Sequence, residues 1–82
     1  MPEYRYRADV LAELPRHGIL PTSHTPPELV RDYVRDLYKY EIRRLRERYL
    51  RQEFSKDEYW HRVDDLRRQY PVLALLPRQM IE

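Results

Sequence analysis

The chain contains no cysteine and no asparagine, and it holds a single glycine among 82 residues. Without cysteine there can be no disulfide, no thiolate metal centre and no cysteine nucleophile. One glycine cannot build a glycine-rich phosphate cradle, so P-loop and dinucleotide-binding fingerprints are absent. Long apolar runs are missing as well. The longest, Val72-Leu73-Ala74-Leu75-Leu76, has five residues, far short of the ~20 a membrane span requires. No membrane partner is expected. The start, Met1-Pro2-Glu3-Tyr4-Arg5-Tyr6-Arg7, has neither an apolar signal core nor the acid-free look of a transit peptide, so the expected compartment is the cytoplasm.

What is present is charge and aromatic surface. Charged residues make up 37%, yet the net charge is only +2, and eight tyrosines, a tryptophan and a phenylalanine carry more buriable area than a solvated tail would. Arginine outnumbers lysine by fourteen to two. The length suits a single small domain, and the residue types predict an all-α one.

The clearest local signal is a helical hairpin over residues 26–70. Thr25-Pro26-Pro27-Glu28 reads as a capping box with proline at the first helical position. From Leu29 to Gln52 no glycine or proline interrupts the chain. Val30, Val34, Tyr38, Ile42, Leu45 and Tyr49 recur at helical spacing, with Leu29, Tyr33, Leu37 and Tyr40 broadening the early apolar arc. The long helix is therefore placed at 26–52, its first half covered by two or more elements and its second by one.

A second capping box, Ser55-Lys56-Asp57-Glu58, opens a shorter helix over 56–70, with Phe54 and Tyr59 as a hydrophobic staple and Pro71 as the stop. The few residues between the helices force them antiparallel. Folding about Phe54 pairs Tyr49 with Tyr59, Leu45 with Val63, Ile42 with Leu66, and Tyr38 with Tyr70.

Outside the hairpin, residues 1–25 form an N-terminal arm and a Pro-rich loop, with a short helix at 8–14 ended before Pro15. Tyr4 to Arg7 reads as an extended arm or an edge strand. Ile19 and Leu20 are expected to pin the loop to the core. The tail 71–82, led by Val72–Leu76, is expected to fold over the early face of the long helix near Val30 and Val34.

Residues 42–70, with the turn Phe54-Ser55-Lys56-Asp57-Glu58-Tyr59 and the Val63/Leu66 spacing, resemble the small helical hairpins at the C-termini of many bacterial proteins, the SHOCT type. Those hairpins usually carry a glycine just before the turn, where Gln52 and Glu53 stand here. The resemblance spans about a third of the chain. It implies a capped two-helix unit and carries no function across.

Few constellations point to chemistry. Asp57, His61 and Asp65 fall at i, i+4 and i+8 on one helix face, but a solvated, ion-paired face explains them better than a cation does. Ser23 and His24 are adjacent without a signalled oxyanion hole, and Ser55 is better explained as a cap. Asp64 and Asp65 point ~100° apart on their helix, so they share no acid–base task. No catalysis, metal or cofactor is expected.

Two binding readings remain. Trp60, Leu50, Tyr33 and Tyr40 are left over once the hairpin seam is filled, and such residue types concentrate at binding hot spots. They make a protein partner or a homo-oligomer the expected function: an assembly module or a small subunit of a larger complex. The alternative is weak RNA or DNA binding by Lys39, Arg43, Arg44, Arg46, Arg48 and Arg51, with Tyr40 stacking. Against it, the acids Glu28, Asp32, Asp36, Glu41 and Glu47 are spaced to ion-pair with Arg31, Arg35, Lys39, Arg44, Arg43 and Arg51 along the same helix.

Overall fold

A computed structural model describes residues 3–82; Met1 and Pro2, the start of the expected N-terminal arm, lie outside the described residues. Three α-helices and three 3₁₀ turns follow in order among the described residues. Helix α1 spans Ala8–Glu13 and runs on as a 3₁₀ turn at Leu14–His17. Helix α2 spans Pro27–Leu50 and α3 spans Lys56–Arg68. The tail carries two 3₁₀ turns, Pro71–Ala74 and Pro77–Gln79. The architecture is all-α, with α2 and α3 forming the expected antiparallel hairpin.

Direct ring contacts mark both ends of the hairpin seam. Tyr49 stacks on Tyr59 with centroids 4.7 Å apart, and Tyr38 meets the edge of Tyr70 at 5.5 Å. Leu45 and Val63 are the buried pair between them. The turn is built as its residues require. Ser55 Oγ accepts the backbone N–H of Glu58 at 3.1 Å, and the Phe54 ring lies 6.5 Å from Tyr59. Helix α2 ends in a Schellman arrangement: Glu53 N–H donates to the Arg48 carbonyl and Gln52 N–H to that of Tyr49. Gln52 occupies the left-handed position of this motif, at φ 62°.

The start of α2 departs from expectation. Thr25 caps nothing, and the helix begins at Pro27 rather than Pro26. The residue before a proline is pushed out of the helical region, and Pro26 accordingly sits at φ −64°, ψ 137°. The Thr25 hydroxyl turns back to accept the Thr22 N–H at 2.9 Å, while its carbonyl accepts the Tyr6 hydroxyl.

The core lies at one end of the molecule. Tyr6, Val10, Leu14, Val30, Val34, Tyr70, Val72 and Met80 form one buried cluster, drawn from the N-terminal segment, early α2 and the tail. This base has the covering layers that the broad early arc of α2 called for. The tail lands near Val30 and Val34 as expected, and Arg31 holds it there by donating to the carbonyls of Leu75 (2.9 Å) and Leu73 (3.3 Å). The N-terminal segment runs extended beside the tail, with a single antiparallel bridge between Tyr6 and Ile81.

Beyond the base, residues 42–63 project as a two-helix arm. The radius of gyration is 15.1 Å and the principal extents are 51 × 18 × 17 Å, whereas a compact chain of this length has a radius near ~12 Å.

One further expectation is corrected: Leu20 is 80% exposed and anchors nothing, and Ile19 alone packs on the core. The short α-helix ends before Pro15 as expected, with Leu14 as its C-cap, and Pro15 falls early in the 3₁₀ turn that follows, where its missing N–H has no ladder partner to lose. Gly18 ends that turn at φ 81°.

Candidate interaction surface

Helix α2 presents its seam residues, Val30, Val34, Tyr38, Leu45 and Tyr49, to α3 and the base. At ~100° per residue, the opposite face carries Leu29, Tyr33, Asp36, Tyr40, Arg43, Glu47 and Leu50. The large apolar groups on that face are open to solvent: Leu29 is 62% exposed, Tyr33 53%, Tyr40 56% and Leu50 65%. Tyr33 and Tyr40 are two turns apart on one stripe, about 10 Å along the axis, and Leu29 extends the stripe toward the base. Leu50 lies at the tip of the arm, about 80° round from Tyr40.

Trp60 is 55% exposed, but it does not join this stripe. It stands on α3, edge-on to Tyr59 at 5.3 Å. The four residues expected at a partner surface thus divide into Tyr33 and Tyr40 together, Leu50 at the far end of the same helix, and Trp60 on the other helix.

The six basic residues of the alternative reading are also divided. Arg48 is drawn to the turn, pairing with Glu53 at 3.1 Å and lying over the Phe54 ring at 5.4 Å. Arg62 reaches the same ring from α3 at 4.6 Å, so both guanidiniums lie at the Phe54 edge of the hairpin. Arg51 binds Glu53 at 3.7 Å, and Arg44 lies 5.9 Å over Tyr40.

Lys39, Arg43 and Arg46 point outward with no ion-pair partner among the described residues. The ladder of ion pairs expected along α2 forms only at Asp32–Arg35, 3.3 Å. Arg31 has been diverted to the tail carbonyls and Arg51 to the Glu47 carbonyl.

A groove of about 430 Å³ between the helices is lined by Glu41, Arg44, Arg48, Arg62, Asp65 and Gln69. Its charges are mixed. Among the described residues no three histidine or acidic side chains gather as a metal-binding group, Asp57, His61 and Asp65 included. Ser23 and His24 sit exposed in a turn, where Ser23 uses its carbonyl to accept the Tyr4 N–H.

The most enclosed polar group was not among the expected sites. The side chains of Glu13 and His17 are each 6% exposed and meet at 2.8 Å. His17 stacks on Tyr70 with centroids 4.4 Å apart, and both Glu13 oxygens accept the Val72 N–H, at 3.0 and 3.3 Å. One carboxylate thereby ties the N-terminal segment to the tail. The signal available in the sequence was Glu13 and His17 at i, i+4, next to the apolar pair Val10 and Leu14.

Tyr6, in the extended N-terminal segment, is buried. Its phenol is pushed up to about 12 by that burial, with Glu28 and Tyr4 adding to the effect. Tyr70 is likewise raised to about 12, by burial first and then by the Glu41 carboxylate.

No family model, curated protein or solved structure matches this chain. No helix among the described residues is long and apolar enough to cross a membrane.

Proposed function

We propose that the protein is a non-catalytic assembly module of the cytoplasm, whose long helix α2 offers its open face, running from the base into the arm, to another polypeptide. The observation that carries this reading is the open face of α2, where Leu29, Tyr33, Tyr40 and Leu50 are each more than half exposed. Tyrosine and arginine on such a face are the residue types that concentrate binding energy. Trp60 on α3 gives the arm a second exposed aromatic contact.

The alternative is a weak RNA or DNA binder. It is favoured by Lys39, Arg43 and Arg46, which have no ion-pair partners among the described residues. Salt separates the two readings. Phosphate neutralisation makes log affinity fall steeply with log salt, whereas an apolar contact responds little. Light scattering at low and high salt, with and without a short duplex and a single strand, is the test. Association of protein with protein that persists at high salt supports the assembly reading. A monomer that binds the oligonucleotides with a steep salt slope overturns it.

A further inference from the structure

The open face of α2 follows an alternating four–three spacing: Leu29, Tyr33, Asp36, Tyr40, Arg43, Glu47, Leu50. That is the spacing of a helix stripe made to lie along another helix. Charge along it is polarised. On and beside it the N-terminal half carries Glu28, Asp32 and Asp36, with Arg35 3.3 Å from Asp32 and 3.9 Å from Asp36; the C-terminal half carries Lys39, Arg43 and Arg46, with Glu47 among them. A stripe that is acidic at one end and basic at the other is complementary to itself when reversed.

We infer that this face seats a second copy of the same chain, with the two α2 helices antiparallel about a two-fold axis near residues 39 and 40. The inference rests on the assembly reading and names its partner. A two-fold contact is isologous, so each residue pair occurs twice. About that axis Asp36 faces Arg43 of the second copy and Leu29 is level with Leu50.

Arg43, which has no ion-pair partner in its own chain among the described residues, thus meets an acid across the axis. A parallel arrangement would set Asp36 against Asp36 and Arg43 against Arg43. Glu47 is the exception in the basic half, falling nearest Asp32 of the second copy.

Helix α3 and the core cover the opposite side of α2, and the tail is held by Arg31, which lies about 160° from Leu29 round the helix. The contact runs from Leu29 to Leu50, about 32 Å of helix. One helix face is small for a protein interface, so dissociation is expected on the order of 10 μM.

The test is sedimentation velocity on the full chain and two charge reversals, Asp36→Arg and Arg43→Asp, with circular dichroism confirming that each folds. The wild type is expected to dimerise, each reversal to weaken dimerisation at least tenfold, and an equimolar mixture of the two to recover it. Recovery occurs because the mixed pair restores both opposite-charge contacts. A wild type that stays monomeric to several hundred micromolar (on the scale of the affinity above) overturns the inference. So does a dimer indifferent to both reversals. If that indifferent dimer is lost with Trp60→Ala, association through the arm stands and only the seat on α2 is wrong.

Discussion

The base and the arm are built from the same two helices, yet they solve different problems. In the base, α2 is enclosed by the N-terminal segment and the tail, and a single carboxylate joins chain segments 59 residues apart. In the arm, each helix has only the other. Its fully shielded apolar content is Leu45 and Val63, supported by the tyrosine stack at the tip. Enclosure gives the base its share of stability; openness gives the arm surface to offer. The molecule thus separates an enclosed end from an end whose side chains stay largely open to solvent.

The contrast is broken most severely at Glu13. Glu13→Ala leaves the Val72 N–H without its acceptor and His17 without its partner in a site that water barely reaches. Removing one member of a buried, hydrogen-bonded pair costs about 3–5 kcal/mol. Urea denaturation should show that loss across the whole chain, since early α2 belongs to the same core. A loss under about 1 kcal/mol would mean that the carboxylate is dispensable and that the apolar cluster alone closes the base.

Leu45→Ala tests the arm. The expected cost is about 2 kcal/mol, the low end for a buried leucine, because so few neighbours surround it. The effect should also be local. Amide exchange is expected to speed up from Ile42 to Arg62 while Val30 and Val34 keep their protection. Uniform acceleration would show that base and arm open as one unit.

These two sites also separate what was legible in the sequence from what was not. The arm follows near-neighbour rules: the Ser55 cap, the Phe54 staple and a seam that mirrors about the turn. Each can be read within a few residues. The base depends on contacts between distant segments, and no local rule sends Tyr6 to the Thr25 carbonyl or Glu13 to Val72. The Thr25 cap failed for the opposite reason, since a local rule was present but Pro27 overrode it. The exposed residues Trp60, Leu50, Tyr33 and Tyr40 were readable as left over from the seam.

Alkali should act mainly on the base, because both phenols raised to about 12 lie there. Ionisation begins near 10.0 in the unfolded chain, while the folded chain keeps these protons up to about 12. The contribution is complete below the lower value and is lost as pH rises through the interval. Absorbance at 295 nm should show two late-titrating tyrosines that join the others once the chain is unfolded in urea. Tyr6→Phe and Tyr70→Phe should each remove one. Leu45→Ala should leave both in place.

The smallest effects concern how each region ends a helix. Gly18 and Gln52 both take left-handed backbone, at φ 81° and 62°. The base uses glycine, which adopts this conformation freely, whereas the arm uses glutamine, which does so under strain. Gly18→Ala should therefore cost about 1 kcal/mol; no atom lies within 4 Å of the added methyl, so backbone conformation accounts for all of it. Gln52→Gly should act with the opposite sign, stabilising by about 0.5–1 kcal/mol once relief of strain is set against the greater freedom of the unfolded chain. Slower amide exchange at the arm, with the base unchanged, is the expected record of that gain. If Gln52→Gly instead destabilises, the glutamine side chain must hold the turn through contacts that outweigh its backbone strain, and the arm is better anchored at its tip than its thin core implies.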